Sequence, residues 1–237
     1  MLIIVPARVG SKGFPGKNIL PFCGFSLIEW SLSAALYLQK NILGATVQVT
    51  TDCPKVSALV VQKYSKNITL RPRPEALASD TAEMSDVVLD GANFAGIGNR
   101  GRYLLLQPTS PLRLLSDLDS FASIAQNAGS QVSCTVPVED PHDLTDLASK
   151  LPVINTKPAT RRQDRRASIR FVDGSLYAGN LAQLAATRSF MPTGQTQFHS
   201  LNIPHAVDID TPLDWHMSLA LHDWLCKEGI NFVRPTS

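Results

Sequence analysis

Pro6-Ala7-Arg8-Val9-Gly10-Ser11-Lys12-Gly13-Phe14-Pro15-Gly16-Lys17-Asn18 is a glycine-punctuated stretch that directly follows an apolar run at the start of the chain. Its glycines allow backbone conformations that other residues avoid, so backbone N–H groups can approach a ligand closely. Arg8, Lys12 and Lys17 add positive charge, and no acidic residue occurs before Glu29. Because such cations form charge-assisted hydrogen bonds with phosphate oxygens, the stretch predicts an anion-binding loop.

This loop does not follow either of two common nucleotide-binding patterns. The phosphate loop of ATPases and GTPases needs four residues between its glycines and a Ser or Thr after the lysine. Here Pro15 occupies the position of the second glycine, and Asn18 follows Lys17. The glycine spacing of the dinucleotide fingerprint is absent as well. An ordinary solvated turn is the alternative, since Gly, Pro and Lys are also common there.

Composition indicates a globular protein with one domain over residues 1–237. The chain has 237 residues, 44% of them hydrophobic, and a net charge of +2, which favours neither nucleic acid nor an acidic membrane as partner. The first apolar run is too short for a signal peptide or a membrane span, so we expect a cytoplasmic protein. The cysteines lack metal-ligand or redox spacing and are expected to be reduced: Cys23, Cys53, Cys134 and Cys226.

Strand and helix patterns alternate along the chain. Leu2–Val5 predicts a buried strand, Ser26 to Glu29 has the spacing of a capping box before a helix, and Thr46–Thr51 predicts a second strand. Further elements follow: a helix from Pro54, strands over Tyr103–Leu106, Val132–Val136 and Ser175–Ala178, and helices over about Asp117–Ala125 and from Pro212. This order predicts an α/β fold with a mostly parallel sheet and helices on both faces.

Ligands of such sheets bind beyond the carboxyl ends of the strands, where the glycine loop, Asp52 and Gln107 fall. The proline-bracketed turn Gln107-Pro108-Thr109-Ser110-Pro111 can hold its amide and hydroxyls toward a polyhydroxylated substrate. Alternatively, the hydroxyls of Thr109 and Ser110 only satisfy the backbone of the turn.

A pair of aspartates precedes the last predicted helix. His205–Asp210 reads as a strand, with Thr211 capping the helix and Pro212 at its first position. Residues two apart on a strand share a face, so Asp208 and Asp210 could hold a divalent cation such as Mg²⁺ between them. The alternative is that Asp210 caps the helix and Asp208 pairs with an arginine.

The alternating pattern breaks over residues 137–170, which contain several prolines and the basic run at 161–166. We expect a mobile loop, a lid or an arm packed on a second subunit. Nucleic-acid binding by the basic run is disfavoured, because no aromatic residues are interleaved with the arginines.

Several of these segments together resemble the CMP-sialic acid synthetases, cytidylyltransferases that activate nine-carbon acidic sugars. The matching segments lie in family order along nearly the whole chain: the loop from Pro6 to Asn18, Arg73-Pro74 with Leu77–Thr81, Leu105–Arg113, Arg162-Gln163 and Asp208–Asp214. The resemblance implies a Rossmann-like nucleotidyltransferase fold, a homodimer with a dimerisation excursion at about 137–170, and a Mg²⁺-dependent transfer of CMP from CTP to the sugar.

The resemblance also implies residue roles. CTP binding falls to Arg8, Ser11, Lys12, Lys17, Asn18 and Arg73. The sugar would face Gln107, Arg162, Gln163, Tyr177 and Phe190. Catalytic roles fall to Lys17, Asp208 and Asp210, with the two aspartates also binding the metal.

Three positions depart from the family pattern. Asp173 precedes Gly174 where the family commonly has Asn, which places a carboxylate near an acidic substrate. Val9 stands where a glycine is common, and Phe171 where a basic residue is common. The sugar therefore stays open between N-acetylneuraminate and a relative such as legionaminic acid. The alternatives are the eight-carbon sugar Kdo as substrate, or a non-catalytic dimeric nucleotide-binding module.

Overall fold

The structure is a computed structural model that describes residues 1–10, 13–98, 100–137, 170–202 and 207–236. Its strands in chain order are β1 (Leu2–Ala7), β2 (Pro21–Phe22), β3 (Phe25–Ser26), β4 (Thr46–Thr51), β5 (Ile68–Pro72), β6 (Arg102–Leu106), β7 (Gln131–Pro137), β8 (Arg170–Asn180) and β9 (Thr196–Ser200). Strands β2 and β3 form a small hairpin. Within the described residues, the other seven form one sheet in the order β5-β4-β1-β6-β8-β7-β9.

The sheet is mostly parallel, as predicted. Strand β8 alone among the described strands of this sheet runs antiparallel to its neighbours, β6 and β7. The pairings of β1 with β4 and β6, of β4 with β5, and of β7 with β9 are parallel. The carboxyl ends of β1, β4, β5 and β6 therefore meet at one edge.

Helices cover both faces of the sheet. They are α1 (Leu27–Asn41), α2 (Pro54–Leu59), α3 (Glu75–Ala78), α4 (Met84–Phe94), α5 (Leu115–Asn127), α6 (Leu181–Thr187) and α7 (Pro212–Lys227). On β1, Ile3 and Val5 enter a core shared with α1, α5 and α7, whereas Leu2 and Ile4 enter a second core shared with α4 and α6. Because a strand buried on both faces needs an uninterrupted apolar run, the sequence signal at the start of the chain was strong.

Capping explains where two helices begin. The Glu29 carboxylate accepts hydrogen bonds from the Ser26 backbone N–H at 2.8 Å and the Ser26 hydroxyl at 2.7 Å, which starts α1. Thr211 and Asp214 form a second capping box at α7, with Pro212 at its first turn. Both predicted helix starts are confirmed, and Thr211 rather than Asp210 supplies the cap of α7.

The predicted strand over residues 205–210 is wrong in its described part. Val207–Asp210 has no strand structure, and residues 205 and 206 lie outside the described residues. Ile209 explains the difference, because its N–H donates to the Thr109 carbonyl at 2.9 Å and its carbonyl accepts from Lys17 Nζ at 2.5 Å. A loop and a side chain thus satisfy the backbone groups that a neighbouring strand would have used.

Other boundaries also differ from the sequence prediction. The helix from Pro54 ends at Leu59 and continues as a π-helical turn over Val60–Tyr64. Pro137 and Arg170, the bounds of the predicted excursion, belong to β7 and β8, and the residues between them lie outside the described part of the chain. The single domain over residues 1–237 stays a prediction.

All four cysteines lie in the described part of the chain and are free thiols, as expected. Among the described residues, no helix has the length and apolar character needed to cross a membrane.

Candidate active site

A cleft of about 450 Å³ opens at the carboxyl ends of β1, β5 and β6. Its walls come from the glycine loop, the segment after β5, the turn after β6 and the segment before α7. The lining residues are Pro6, Arg8, Gly13, Lys17, Asn18, Arg73, Met84, Gln107, Pro108, Thr109, Asp210 and Thr211. The edge of the sheet that the sequence predicts as the ligand-binding edge is therefore where the cleft lies.

Lys17 connects the glycine loop to the aspartate segment. It begins a short 3₁₀ helix, Lys17–Ile19, and its side chain is buried. Lys17 Nζ donates to the Ile209 carbonyl at 2.5 Å and to Asp210 Oδ1 at 2.6 Å. The Asp210 side chain is 68% exposed, so the pair combines a fixed cation with a carboxylate that a ligand can reach.

Gly13 shows why the loop requires a glycine at this position. A Cβ atom added there would lie 2.5 Å from the Asp210 carbonyl oxygen, which is closer than real contacts allow. The backbone of the loop therefore lies directly on the backbone of the aspartate segment. Two segments that the sequence analysis identified separately form one wall of the cleft.

Arg8 lies at the rim of the cleft and is held from two sides. Its Nη1 is 2.6 Å from Asp80 Oδ1, and its carbonyl accepts from Asn18 Nδ2 at 3.2 Å. The next N–H along the chain, that of Val9, donates to Asp52 Oδ1 at 2.8 Å. These contacts order the start of the loop and keep a guanidinium group beside the cleft.

Arg73 places a second guanidinium deep in the cleft wall. The residue is 7% exposed, its Nη2 donates to the Thr50 carbonyl at 2.9 Å, and its Nε has no partner among the described residues. Burial lowers the pKa of Arg73 to about 10. The side chain therefore stays charged near neutral pH and places a positive charge in the wall of the cleft.

Asp208 and Asp210 bring negative charge to the segment that packs on the glycine loop, and of the two only Asp210 is among the residues that line the cleft. Burial is the main cause that raises the pKa of Asp208, and the charges of Asp210 and Asp173 raise it further. A hydrogen bond from Thr109 and the charge of Lys17 oppose this shift.

The aspartate pair fits a hard divalent cation. Among the described residues, no group of three or more His, Cys, Asp or Glu side chains is arranged to hold a metal. Mg²⁺ needs fewer protein ligands, since it typically takes one or two carboxylates together with water and substrate phosphates. Burial is the largest cause of the raised pKa of Asp208, and a bound cation would relieve the smaller part that comes from the charges of Asp210 and Asp173.

The turn after β6 contributes Gln107, Pro108 and Thr109 to the cleft. The backbone N–H of Gln107 donates to the Ser175 carbonyl at 3.1 Å, and its carbonyl accepts from the Ser110 N–H at 3.3 Å. Ser110 is buried beside a separate small cavity rather than in the cleft. Of the two hydroxyl residues considered from the sequence, Thr109 faces the cleft and Ser110 does not.

Tyr177 and Phe190, the aromatic residues predicted at the sugar, contact each other with ring centroids 5.0 Å apart. Burial and the nearby charge of Asp173 raise the pKa of Tyr177, and Asp208 also contributes. Neither ring lines the 450 Å³ cleft among the described residues. Ser11, Lys12, Arg162 and Gln163 lie outside the described residues.

Two residues without an assigned role from the sequence also belong to the site. Met84, the first residue of α4, lines the cleft, and Asp80 pairs with Arg8. Asp80 lies within Leu77–Thr81, a segment that carries the family resemblance, and this position was the sequence signal that could have identified it. No sequence signal identifies Met84 as a site residue, because a single methionine has no characteristic spacing.

The fold and the charged cleft define a nucleotidyltransferase, an enzyme class in which a triphosphate binds at this edge of the sheet. Two solved structures support the fold. A CMP:2-keto-3-deoxy-manno-octonic acid synthetase complexed with CTP has a TM-score of 0.62 at 18% identity, with 94% of this chain and 98% of that chain covered. A 4-diphosphocytidyl-2C-methyl-D-erythritol synthase has a TM-score of 0.66 at 10% identity, with the same coverage.

Sequence comparison identifies the family within the nucleotidyltransferase class. The family model described as "Cytidylyltransferase" matches residues 2–176, and the chain belongs to this family. The CMP-N,N'-diacetyllegionaminic acid synthase of Legionella pneumophila is 28% identical over 232 residues, covering 92% of this chain and 94% of that protein. The N-acylneuraminate cytidylyltransferase of Escherichia coli is 24% identical over 239 residues, covering 99% of this chain and 55% of that protein.

The corresponding enzyme of Streptococcus agalactiae is 25% identical over 225 residues, covering 90% of this chain and 51% of that protein. The chain thus spans about half the length of the N-acylneuraminate cytidylyltransferases and nearly all of the Legionella enzyme. These relatives confirm the family that the sequence motifs predict.

Proposed function

We propose that this chain transfers CMP from CTP to the anomeric hydroxyl of a nine-carbon acidic sugar of the sialic or legionaminic kind, with release of pyrophosphate. The contact of Lys17 with Asp210 carries the proposal, because it joins the anion-binding loop to the aspartate pair in one cleft. The names of the relatives support the nucleotide and the class of sugar.

The nucleotide would bind along the glycine loop and Arg73, which follows the carboxyl end of β5. Arg8 at the rim, Lys17 at the base and Arg73 in the wall are cations that line the cleft. Asn18 lines it as well and supports the loop through the Arg8 carbonyl. The family resemblance adds Ser11 and Lys12 to this group.

The reaction requires no nucleophile from the protein. The sugar hydroxyl gives its proton to an aspartate carboxylate or to water as its oxygen attacks the α-phosphorus, and the bond from that phosphorus to the oxygen bridging to the β-phosphorus breaks. Pyrophosphate leaves and CMP stays on the sugar. Alignment of the two reactants and cations that absorb the developing charge supply most of the catalysis in such transfers.

Mg²⁺ is the proposed cofactor, held by Asp208 and Asp210. When bound, the ion would neutralise phosphate oxygens during the transfer. Lys17 keeps Asp210 at the cleft, and the hydrogen bond from Thr109 helps to keep Asp208 ionised. The loop cations and the aspartates, which the Lys17–Asp210 contact joins, would thus hold nucleotide and cation next to each other.

The sugar would bind near Gln107, Tyr177 and Phe190, together with Arg162 and Gln163 that the resemblance assigns. Asp173 acts electrostatically on both Tyr177 and Asp208, so this part of the site carries a negative charge. A sugar that presents hydroxyl or N–H donors there would tolerate this charge better than one that presents its own carboxylate.

The test is pyrophosphate release from CTP with a panel of acidic sugars, with Mg²⁺ and with a chelator. We expect turnover with N-acetylneuraminate or legionaminic acid, and its loss on chelation. Turnover with Kdo alone would assign a different sugar. CTP binding without pyrophosphate release from any sugar would instead favour a non-catalytic nucleotide-binding module. The proposed homodimer is tested by light scattering, and the cytoplasmic location by cell fractionation.

A further inference from the structure

Arg113 is a buried cation next to the cleft, and the proposed function gives it no task. It is 4% exposed and follows the turn after β6. Its Nη1 donates to the Ser31 hydroxyl on α1 at 3.0 Å. Its Nη2 donates to the Gln107 carbonyl at 2.6 Å and to the Ser175 carbonyl on β8 at 3.3 Å. One guanidinium therefore bonds to three separate parts of the fold.

A charge in this position is costly to the fold. Burial lowers the pKa of Arg113 to about 10, which leaves the group charged at neutral pH, and Asp173 acts in the opposite direction. No ion pair joins Arg113 to a carboxylate within the described residues. An apolar side chain of similar volume would fill the space at lower cost if filling space were the only role.

The acceptors of Arg113 are backbone groups that shape the active site. The Gln107 carbonyl also accepts from the Ser31 hydroxyl at 3.3 Å, and the Gln107 N–H donates to the Ser175 carbonyl at 3.1 Å. Gln107 is thus held through both its backbone N–H and its backbone carbonyl, and it also lines the cleft. Arg113 itself does not line that cleft.

Ser175 is the second position that Arg113 fixes. Pairing of β7 with β8 shifts register between Ser133 and Thr135, so residues of β8 in this region bulge out of the ladder. Within the bulge, Gly174 has a φ of +76°, and Asp173 Oδ1 accepts from the Ser175 N–H at 2.9 Å. The Ser175 carbonyl accepts from both the Gln107 N–H and Arg113 Nη2, so Arg113 bonds this end of the bulge to the turn after β6.

The restrained turn leads directly to an aspartate of the site. Two residues beyond Gln107, the Thr109 carbonyl accepts from the Ile209 N–H at 2.9 Å, and the Thr109 side chain hydrogen bonds to Asp208. Two nucleotide-side cations are held by other contacts, from Arg8 to Asp80 and from Arg73 to the Thr50 carbonyl. Lys17 bonds to the same Ile209 backbone as Thr109, but to its carbonyl and not to its N–H. The Arg113 network therefore reaches the turn at Gln107 and the aspartate segment without contacting Arg8 or Arg73.

We infer that Arg113 is a positioning residue for the sugar half of the active site. It acts through the Gln107 and Ser175 carbonyls and sets where Gln107 and, through Thr109, Asp208 stand relative to the acceptor hydroxyl. The inference rests on the proposed function. Because the contacts that hold Gln107 differ from those that hold Arg8 and Arg73, loss of Arg113 should affect sugar kinetics more than CTP binding. A general stabilising role would not predict this difference.

The test compares Arg113→Met, which keeps much of the volume without donors, and Arg113→Lys, which keeps the charge with a different donor geometry. We expect kcat/KM for the acidic sugar to fall about 100-fold in Arg113→Met, the scale of a misplacement of about 1 Å. Arg113→Lys should lie between Arg113→Met and the wild type. CTP affinity, measured by calorimetry without sugar, should stay at the wild-type value in both variants.

Glu29→Gln is the matched control, because it disrupts another buried polar network, on the same helix as Ser31 but away from the cleft. It should lower the melting temperature without changing the KM for the sugar. Equal losses for CTP and sugar in the Arg113 variants, or a lower melting temperature with unchanged kinetics, would overturn the inference. If Arg113→Met does not fold, Arg113→Lys decides between these outcomes. A wild-type protein that is inactive with every sugar would instead refute the proposed function, and this role with it.

Discussion

Lys17 Nζ lies 2.6 Å from Asp210 Oδ1, although the two residues are 193 positions apart in the chain. The Lys17 side chain is 7% exposed and that of Asp210 is 68% exposed, so the contact has a fixed partner and an accessible one. Ligand access is thus through the carboxylate, while the ammonium group sets its position. Substituting either residue changes the environment of the other.

Asp208→Asn and Asp210→Asn should each lower kcat by about 100-fold or more, because each removes a charge that stabilises the proposed metal-assisted transfer. CTP affinity should fall much less, since the loop cations stay in place. Pyrophosphate release and CTP calorimetry measure the two quantities. Asp223→Asn, in an exposed pair with Lys227 on α7, is the control and should be neutral. Normal turnover in both cleft variants would refute the metal assignment.

Lys17→Ala should chiefly weaken nucleotide use. Loss of charged hydrogen bonds typically costs about 1.5–3 kcal/mol per group, which corresponds to a CTP affinity lower by about 10- to 100-fold. The variant also leaves the Ile209 carbonyl without this donor, so its melting temperature should be checked alongside. The exposed Lys227→Ala serves as the control. An unchanged dissociation constant for CTP would contradict the assigned role.

Gly13→Ala and Gly10→Ala form a matched pair within one loop. The added methyl group at position 13 would lie 2.5 Å from the Asp210 carbonyl oxygen, whereas no atom of the described residues lies within 4 Å of one at position 10. The loop must then move away from the aspartate segment, and kcat/KM for CTP should fall by about 10- to 100-fold. Gly10→Ala should retain nearly full activity. Equal activity of the two variants would argue against a functional contact between loop and aspartates.

Glu29→Gln should reduce stability in a pH-dependent way. Burial acts to raise the pKa of Glu29, but hydrogen bonds from Ser26 and the contact with Lys63 outweigh it and hold the pKa below its ordinary value. The folded-state pKa is therefore lower than the unfolded value of about 4.3, so the stabilisation is complete above that pH and is lost as pH falls through the folded-state pKa. At neutral pH the cost should be about 1–3 kcal/mol.

Urea unfolding at about pH 7 and about pH 3 measures this change, and the difference between Glu29→Gln and the wild type should shrink at the lower pH. Glu228→Gln, at an exposed position after α7, should show little difference at either pH. A destabilisation by Glu29→Gln that is the same at both pH values would mean that packing, rather than charge, is what the substitution removes.

The sequence predicted those parts of the fold whose signals are local. The buried strand β1 is an apolar run, and the start of α1 has its capping residues three positions apart, so neither depends on distant contacts. Strand β5 was missed because it is an edge strand in which only Ile68 is fully buried, and its pattern does not alternate clearly. Helix α4 was missed as well, although it supplies Met84 to the cleft.

The candidate site was predictable in its composition but not in its geometry. The charges of Lys17 and Asp210 are visible in the sequence, while their contact depends on how the segment before α7 crosses the glycine loop. That crossing also overrode the strand pattern at Val207–Asp210, since Ile209 bonds to Thr109 and Lys17 instead of to a neighbouring strand. Long-range hydrogen bonds of this kind do not produce a periodic pattern of residue types in the sequence.

The placement of Gly13 against Asp210 also bears on how the protein is made. During synthesis the glycine loop leaves the ribosome long before residue 210 has been added, so the nascent chain lacks one wall of the cleft. The wall that Gly13 and Asp210 form together can exist only after residue 210 has been added and has docked onto the loop. Assembly of the complete cleft is thereby coupled to synthesis of the polypeptide through residue 210.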